Sequence, residues 1–406
     1  MENKDKLFGI LTTSNNYDQN LKLNIEVYKK IFNTYGNFCI LNLSNFIIFK
    51  KKDKLPETKK YFFSKKIKVF KPKNLRDLKS IFKGKTFIAF NNIGKTFSYF
   101  KILFYLNFID LKQILLLNIG YQSNKVNLDS NSAASFLNSL IYFLRRKVSY
   151  YIFRILTIIN IFPKIEIYFE SSVPTINSVN KGLSKKFESL FPFTKFSYFR
   201  SIYKINSRSY NLKKKKHSTS NKYICFVDSS FEHLDRVHRE GKISYAVKKK
   251  YYLFLKNLLI NLKIIFKKKI IICIHPKNSD KLFLNYFKDF KIKKYQTSEI
   301  IKDSFIILFH ESSAIMDAVI LKKNIISLKS NLLGKYLSDR TKLYSNLLGL
   351  HSLELNKDYK INKKNLIKNL KKSKIKMSKY VAQNLQTDKK KPGEEKVIEV
   401  INKIFF

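Results

Sequence analysis

Phe305, Ile306, Ile307, Leu308 and Phe309 run into His310, Glu311, Ser312 and Ser313, and then into Ala314, Ile315, Met316, Asp317 and Ala318. Five apolar residues without alternation read as a strand buried on both faces, the kind found inside parallel sheets. The stretch from Ser312 to Leu321 has helical composition, so strand, polar turn and helix make one βα step. The same rhythm extends outward from it. Strand-like runs at Tyr223–Val227, Ile270–Ile274 and Ile325–Leu328 alternate with helical stretches at Tyr245–Phe266, Asp280–Phe287 and Ser298–Lys302. Two more helical segments follow, Lys363–Gln383 and Glu394–Ile404, the second opened by Pro392 and Gly393.

The first half has the same grammar. Leu7–Leu11 is followed by Thr12, Thr13, Ser14, Asn15 and Asn16 and by a helix-like stretch from Asp18 to Ile31, with further apolar runs at Phe38–Leu43, Thr86–Phe90 and Ile114–Leu117. A chain of 406 residues exceeds the usual size of one core, so two α/β domains of Rossmann type with parallel sheets are expected. The expected boundaries are an acceptor-side domain over 1–205, a basic linker over 206–221, a nucleotide-binding domain over 222–380 and a helical tail over 381–406. The linker contains Lys213 to Lys216 and His217, a run that cannot bury enough apolar surface to order itself.

With 80 Lys and Arg against 29 Asp and Glu, the net charge of +51 invites a nucleic-acid reading. Nucleic acid is nonetheless set aside. Lys, Asn, Ile, Phe and Tyr are over-used along the whole chain while Gly totals 10, Pro 7 and Trp 0, which points to drift at every surface position. A dispersed positive surface still attracts phosphorylated substrates and an anionic membrane. Cys39, Cys225 and Cys273 form no CxxC pair, which excludes a disulfide framework or zinc knuckle and suits a reducing, cytoplasmic setting. The N-terminus lacks the apolar core of a signal peptide. Asp110, Lys112 and Arg154 interrupt every stretch long enough to cross a bilayer. The segment Phe136–Phe162, with Arg145, Arg146 and Arg154, reads either as a helix lying in a membrane interface or as a core helix with a basic outer face.

Candidate ligand contacts cluster after strands, where open parallel sheets bind their ligands. His275, Pro276 and Lys277 follow Ile270–Ile274. The imidazole can bond a phosphate oxygen or donate a proton to a leaving group, and Lys277 adds a point charge; simple backbone capping is the plainer reading of His275. Ser312 and Ser313 at a helix start offer hydroxyls, free N–H groups and the positive end of the helix dipole, with His310 grouped in the same phosphate site. Ordinary N-capping accounts equally for one serine. Asp317, one turn deeper than Ser313, can accept from a ribose hydroxyl or serve as a buried acid. Thr297, Ser298 and Glu299 form another helix start, bordering the nucleobase. The loop holding Asp228, Ser229, Ser230, His233, Asp235, Arg236, His238 and Arg239 reads as lining a cleft and contacting the acceptor or phosphates, with Asp228 and His233 on the acceptor side, or else as a plain surface loop; its spacing matches no metal site. Gly94, Lys95 and Thr96 look like the end of a phosphate-binding loop, but Ala89 stands where its first glycine belongs.

A strand ending in His-Pro, followed by a strand ending in a Ser-Ser pair, resembles the His-Pro and Ser-Ser motifs of bacterial sialyltransferases and related GT-B sugar transferases. The stretch from Tyr223 to about Leu350 also resembles proteins of surface-polysaccharide, capsule and lipopolysaccharide gene clusters. The resemblance implies two Rossmann-like domains with a cleft between them and an inverting glycosyltransferase without a cofactor. It further implies a nucleotide-sugar donor, often CMP-activated, and a glycan or lipid-linked acceptor. His275 then contacts the donor phosphate or acts as general acid, and Ser312 and Ser313 hold that phosphate. The family's acidic pair before a glycine, which supplies the general base, is absent: Asn118, Ile119 and Gly120 stand there, and an amide cannot take a proton. A nucleotide-sugar epimerase, a CDP-polyol phosphotransferase and a non-catalytic binding protein remain as alternatives.

Overall fold

A computed structural model describes residues 5–14, 17, 21, 24–48, 67–93, 97–117, 148, 152–153, 155–157, 159–171, 199–210, 220–229, 237, 241–275, 278, 280–355, 361–386 and 391–406. They fall into two compact units. The first gathers the described residues up to 117, those from 148 to 208 and those from 391 onward; the second holds those from 209 to 386.

The first unit contains β1 (Lys6–Thr12), α1 (Ile25–Tyr35), β2 (Phe38–Asn42), β3 (Lys68–Phe70), α2 (Leu75–Ile81), β4 (Thr86–Asn91), α3 (Phe100–Leu106), β5 (Leu111–Leu117), β6 (Ile165–Glu170) and β7 (Phe199–Lys204). Its strands form a seven-stranded sheet in the order β3-β2-β1-β4-β5-β6-β7. The second unit contains β8 (Tyr223–Val227), α4 (Tyr245–Phe266), β9 (Lys269–Ile274), α5 (Lys281–Tyr286), β10 (Lys291–Lys294), α6 (Thr297–Asp303), β11 (Ser304–Phe309), α7 (Ile315–Ile320), β12 (Asn324–Lys329), α8 (Gly334–Leu348), β13 (His351–Glu354) and α9 (Lys363–Asn384). Its six strands run β10-β9-β8-β11-β12-β13. Every strand pair in both sheets is parallel.

Both faces of each sheet are covered, which is why the strand sequences lack alternation. In the first unit Phe8, Ile10, Ile88 and Phe90 pack to one side and Leu11, Leu41, Phe87 and Ala89 to the other. In the second, Ile224, Phe226, Ile272 and Leu308 oppose Cys225, Val227, Cys273 and Phe309. Gly9 is required by close packing: a Cβ there would stand 2.4 Å from the carbonyl oxygen of Cys39. All three cysteines are buried free thiols, and Cys225 and Cys273, 48 residues apart in sequence, lie 3.5 Å apart on neighbouring strands.

Of the helix expected at Asp18–Ile31, the part from Ile25 is α1, which runs on to Tyr35 and ends at Gly36, whose φ of 72° suits a residue without a Cβ; residues 18–20, 22 and 23 lie outside the described residues. Two expectations are corrected. The tail is no separate element, because α10 (Gly393–Phe405) packs into the first unit. Val397 and Ile401 join Phe8 and Tyr28 in one cluster, the Tyr35 hydroxyl donates to Asn402 Oδ1 at 2.8 Å, and Lys6 Nζ donates to the Phe405 carbonyl at 2.6 Å. The linker expected over 206–221 begins as packed chain, with Asn206, Ser207 and Ser209 buried; its lysine run and His217 lie outside the described residues. Arg145, Arg146 and Arg154 lie outside them too. Among the described residues no helix is long and apolar enough to cross a membrane.

Candidate functional site

In the second sheet the strand order reverses between β8 and β11, and the crevice beyond the carboxyl ends of such a pair is where open α/β sheets take ligands. The register pairs Val227 with Cys273 on one side and with Phe309 on the other. His275, two residues beyond Cys273, and Glu311, two beyond Phe309, therefore flank Ser229 at one edge. With strands about 4.8 Å apart, the loops after β9 and β11 stand roughly 10 Å from each other.

Those three loops are pinned together by β8. Asp228 Oδ2 accepts from the His275 backbone N–H at 3.0 Å and from Asn278 Nδ2 at 2.8 Å. Asn278 N–H returns to the His275 carbonyl at 2.9 Å, and Asn278 Oδ1 accepts from Asp280 N–H at 2.9 Å. Asp228 is thus a buried brace that fixes the backbone on which the His275 imidazole is carried, a different duty from the acceptor contact expected of it. His233, its expected companion, and Lys277 lie outside the described residues. On the other side, Ser229 Oγ donates to the Glu311 carbonyl and accepts from the Glu311 N–H at 3.1 Å.

The turn Glu311–Ala314 precedes α7, which begins at Ile315 and not at Ser312 as expected. Ser312 shapes this turn: its Oγ accepts from Ala314 N–H at 3.3 Å and its carbonyl from Ile315 N–H at 3.2 Å. Ser313 is half-buried, and its hydroxyl takes no part in the hydrogen bonds among the described residues. Arg340 on α8 fixes the turn from below, with Nε at 2.9 Å and Nη2 at 2.7 Å from one oxygen, Oε1, of Glu311. Arg340 is almost fully buried, and its charge offsets the carboxylate that sits where an anion is expected.

His310 is drawn inward. It is 2% exposed, its Nδ1 bonds the Leu328 carbonyl and its Nε2 the Tyr251 hydroxyl, so the phosphate contact expected of it is replaced by a core role. Burial lowers its pKa to about 4, which keeps the ring neutral. Asp317 is also buried, with Oδ1 accepting from Ser209 Oγ at 2.6 Å and Oδ2 from Ser298 Oγ at 2.5 Å. The structure therefore brings Ser298 and Asp317 together, but Ser298 reaches the carboxylate and caps no helix; Thr297 opens α6 after Gln296 without a side-chain cap. Among the described residues no cluster of His, Cys, Asp and Glu could hold a metal ion.

Glu311 and Arg340 have no role in the sequence reading, and Ser229 figures there only as a member of the loop after Tyr223–Val227; their partners lie 82 and 29 residues away along the chain.

No family model and no curated protein matches this sequence. Solved structures do. The wall teichoic acid polymerase TagF is similar with a TM-score of 0.53 and 15% identity over 98% of this chain and 89% of that one. Its H444N variant soaked with CDPG gives 0.50 and 15% over 98% and 89%. A UDP-GlcNAc 2-epimerase from Methanocaldococcus jannaschii gives 0.45 and 13% over 98% and 99%. The likeness to TagF is one of fold, and the chain accordingly has the two Rossmann-like α/β units of the GT-B architecture.

Proposed function

We propose that the protein is a GT-B transferase that binds a nucleotide-activated sugar at the carboxyl edge of β8, β9 and β11 and passes the sugar, with inversion, to a surface glycan or its lipid-linked precursor. The observation that carries this is the convergence of the His275 loop and the Ser312–Ser313 turn on the two sides of β8, held there by Asp228 and Ser229. Departure of a nucleotide phosphate builds negative charge. Preset hydroxyls, backbone N–H groups and an imidazole meet that charge without reorganising. In this reading His275 contacts the phosphate or protonates it, Lys277 adds charge, and Ser312 and Ser313 hold the oxygens. Asp317, with Thr297 and Ser298, borders the nucleoside. The site of action is the cytoplasmic side of a membrane that carries the acceptor, in polysaccharide, capsule or lipopolysaccharide assembly.

A second reading, transfer of a phosphopolyol from a donor of the CDP-glycerol type, is favoured by the likeness to a polymerase soaked with CDPG. One thermal-shift experiment separates the two. CMP, UDP, GDP, their sugars and CDP-glycerol are each added to the purified protein. The cognate ligand at a hundred times its Kd stabilises by about 2.7 kcal/mol, and the shift disappears in Ser313→Ala and His275→Ala. Stabilisation by none of them overturns both readings, and stabilisation by CDP-glycerol alone overturns the first.

A further inference from the structure

We infer that the first unit carries a membrane-docking face, in which Phe104, Phe108, Ile155 and Ile159 enter the interface of an anionic phospholipid surface while a lysine-lined groove beside them takes its headgroups. α3 buries Ile102, Leu103 and Leu106 and leaves Phe104 39% exposed; Phe108, in the following turn, is 44% exposed, with the two rings 5.2 Å apart. Asn107 Nδ2 donates to the Asn160 carbonyl at 3.0 Å, which brings a second segment alongside. There Ile159 N–H donates to the Ile155 carbonyl at 3.0 Å, so the two side chains stand one helical turn apart on one face, 52% and 55% exposed. Phe153 and Thr157 take the buried side. The Phe104–Phe108 pair and the Ile155–Ile159 pair are thus carried by two segments that meet at Asn107 and Asn160, and together these segments offer four large apolar side chains to solvent.

The groove, of about 460 Å³, is lined by Lys79, Lys83, Lys85, Gly84, Phe82 and Phe108 among others. Lys79 Nζ lies 4.7 Å over the Phe108 ring, joining the basic and apolar parts. Asp110 is the one carboxylate of the lining, and it is already engaged by Thr86 Oγ1 at 2.5 Å and Lys112 Nζ at 3.3 Å. Charge selects the occupant. A second copy would bring +51 against +51, and protein interfaces are depleted in lysine, whereas lysines beside aromatic side chains suit anionic headgroups. The groove touches Thr86 and Asp110, where β4 and β5 begin, so docking leaves the carboxyl edge of the sheet clear.

Vesicle cosedimentation without nucleotide tests this independently of the donor reading. Wild-type protein is compared on phosphatidylcholine vesicles with and without phosphatidylglycerol, alongside Phe104→Ser/Phe108→Ser, Lys79→Glu/Lys83→Glu/Lys85→Glu and, as a control in the second unit, Leu253→Ser/Ile264→Ser. The expected result is binding only with phosphatidylglycerol, weakened about tenfold by the phenylalanine pair and about a hundredfold by the lysine reversals, with the control unchanged and all melting midpoints preserved. Equal binding by wild type and both face variants, or equal binding to uncharged vesicles, overturns it. So does a dimer in sedimentation equilibrium that the phenylalanine variant dissociates. Should the phenylalanine variant fail to fold, the lysine variant and loss of wild-type binding in high salt decide.

Discussion

The two sheets share a topology, each reversing its strand order once, between β1 and β4 in the first unit and between β8 and β11 in the second, yet their carboxyl edges are furnished differently. At the first, amides satisfy one another. Asn91 Nδ2 donates to Gln113 Oε1 at 2.5 Å, Asn91 Oδ1 accepts from Ile93 N–H at 2.7 Å, and Asn42 Nδ2 donates to the Tyr17 hydroxyl at 2.7 Å. At the second, Asp228, Glu311 and Arg340 fix the backbone while His275 and Ser313 stay part-exposed. Neutral amides that pair internally hold a turn in shape. Charged braces behind hydroxyls and an imidazole do that and also set a field, which is what an anionic ligand needs. The same fold thus carries a structural crevice in one unit and the better ligand candidate in the other.

The comparison breaks most visibly at Asp228. Asp228→Ala leaves the His275 N–H and the Asn278 amide unpaired, and equilibrium urea unfolding is expected to show a loss of about 3 kcal/mol. Nucleotide stabilisation should disappear as well. A variant that keeps full ligand response would show that the brace and the site are separate. A smaller effect is expected from His310. Burial lowers its pKa from 6.5 to about 4, so between those values the unfolded chain binds the proton and the native state does not. Stability attributable to this ring is complete above pH 6.5 and is lost as pH falls, by about 2 kcal/mol at pH 5. Urea unfolding of wild type against His310→Gln across that range reads it, and identical slopes would refute it. The smallest effect belongs to the first edge: Asn91→Ala should cost about 1 kcal/mol and leave nucleotide-induced shifts untouched. A lost nucleotide response there would erase the contrast between the edges.

Much of this was legible because buried parallel strands advertise themselves. Ile270–Ile274 and Phe305–Phe309 are apolar without interruption, and their ends located His275 and Ser312. Edge strands carry no such mark: β10 reads Lys-Ile-Lys-Lys, and β7 carries Arg200, Ser201 and Lys204, because one side of each meets solvent. The braces were hidden for another reason. Asp228 meets partners 47 and 50 residues away, and Glu311 meets Arg340 across 29, so no local pattern announces either pair. His310 misled because a strand-end histidine points outward or inward according to a tyrosine on a distant helix. Whether α10 would join the first or the second sheet was likewise undetermined by its own sequence.

That last placement has a consequence for how the chain comes into being. A ribosome releases β1 and α1 early and α10 only after every strand of the second unit, so the Phe8 and Tyr35 surface that receives Phe406 waits without its cover through most of synthesis. The described residues of the second unit, 209 to 386, are all released before α10, so that unit has its parts first although its companion began earlier. Birth order and completion order are reversed in this molecule.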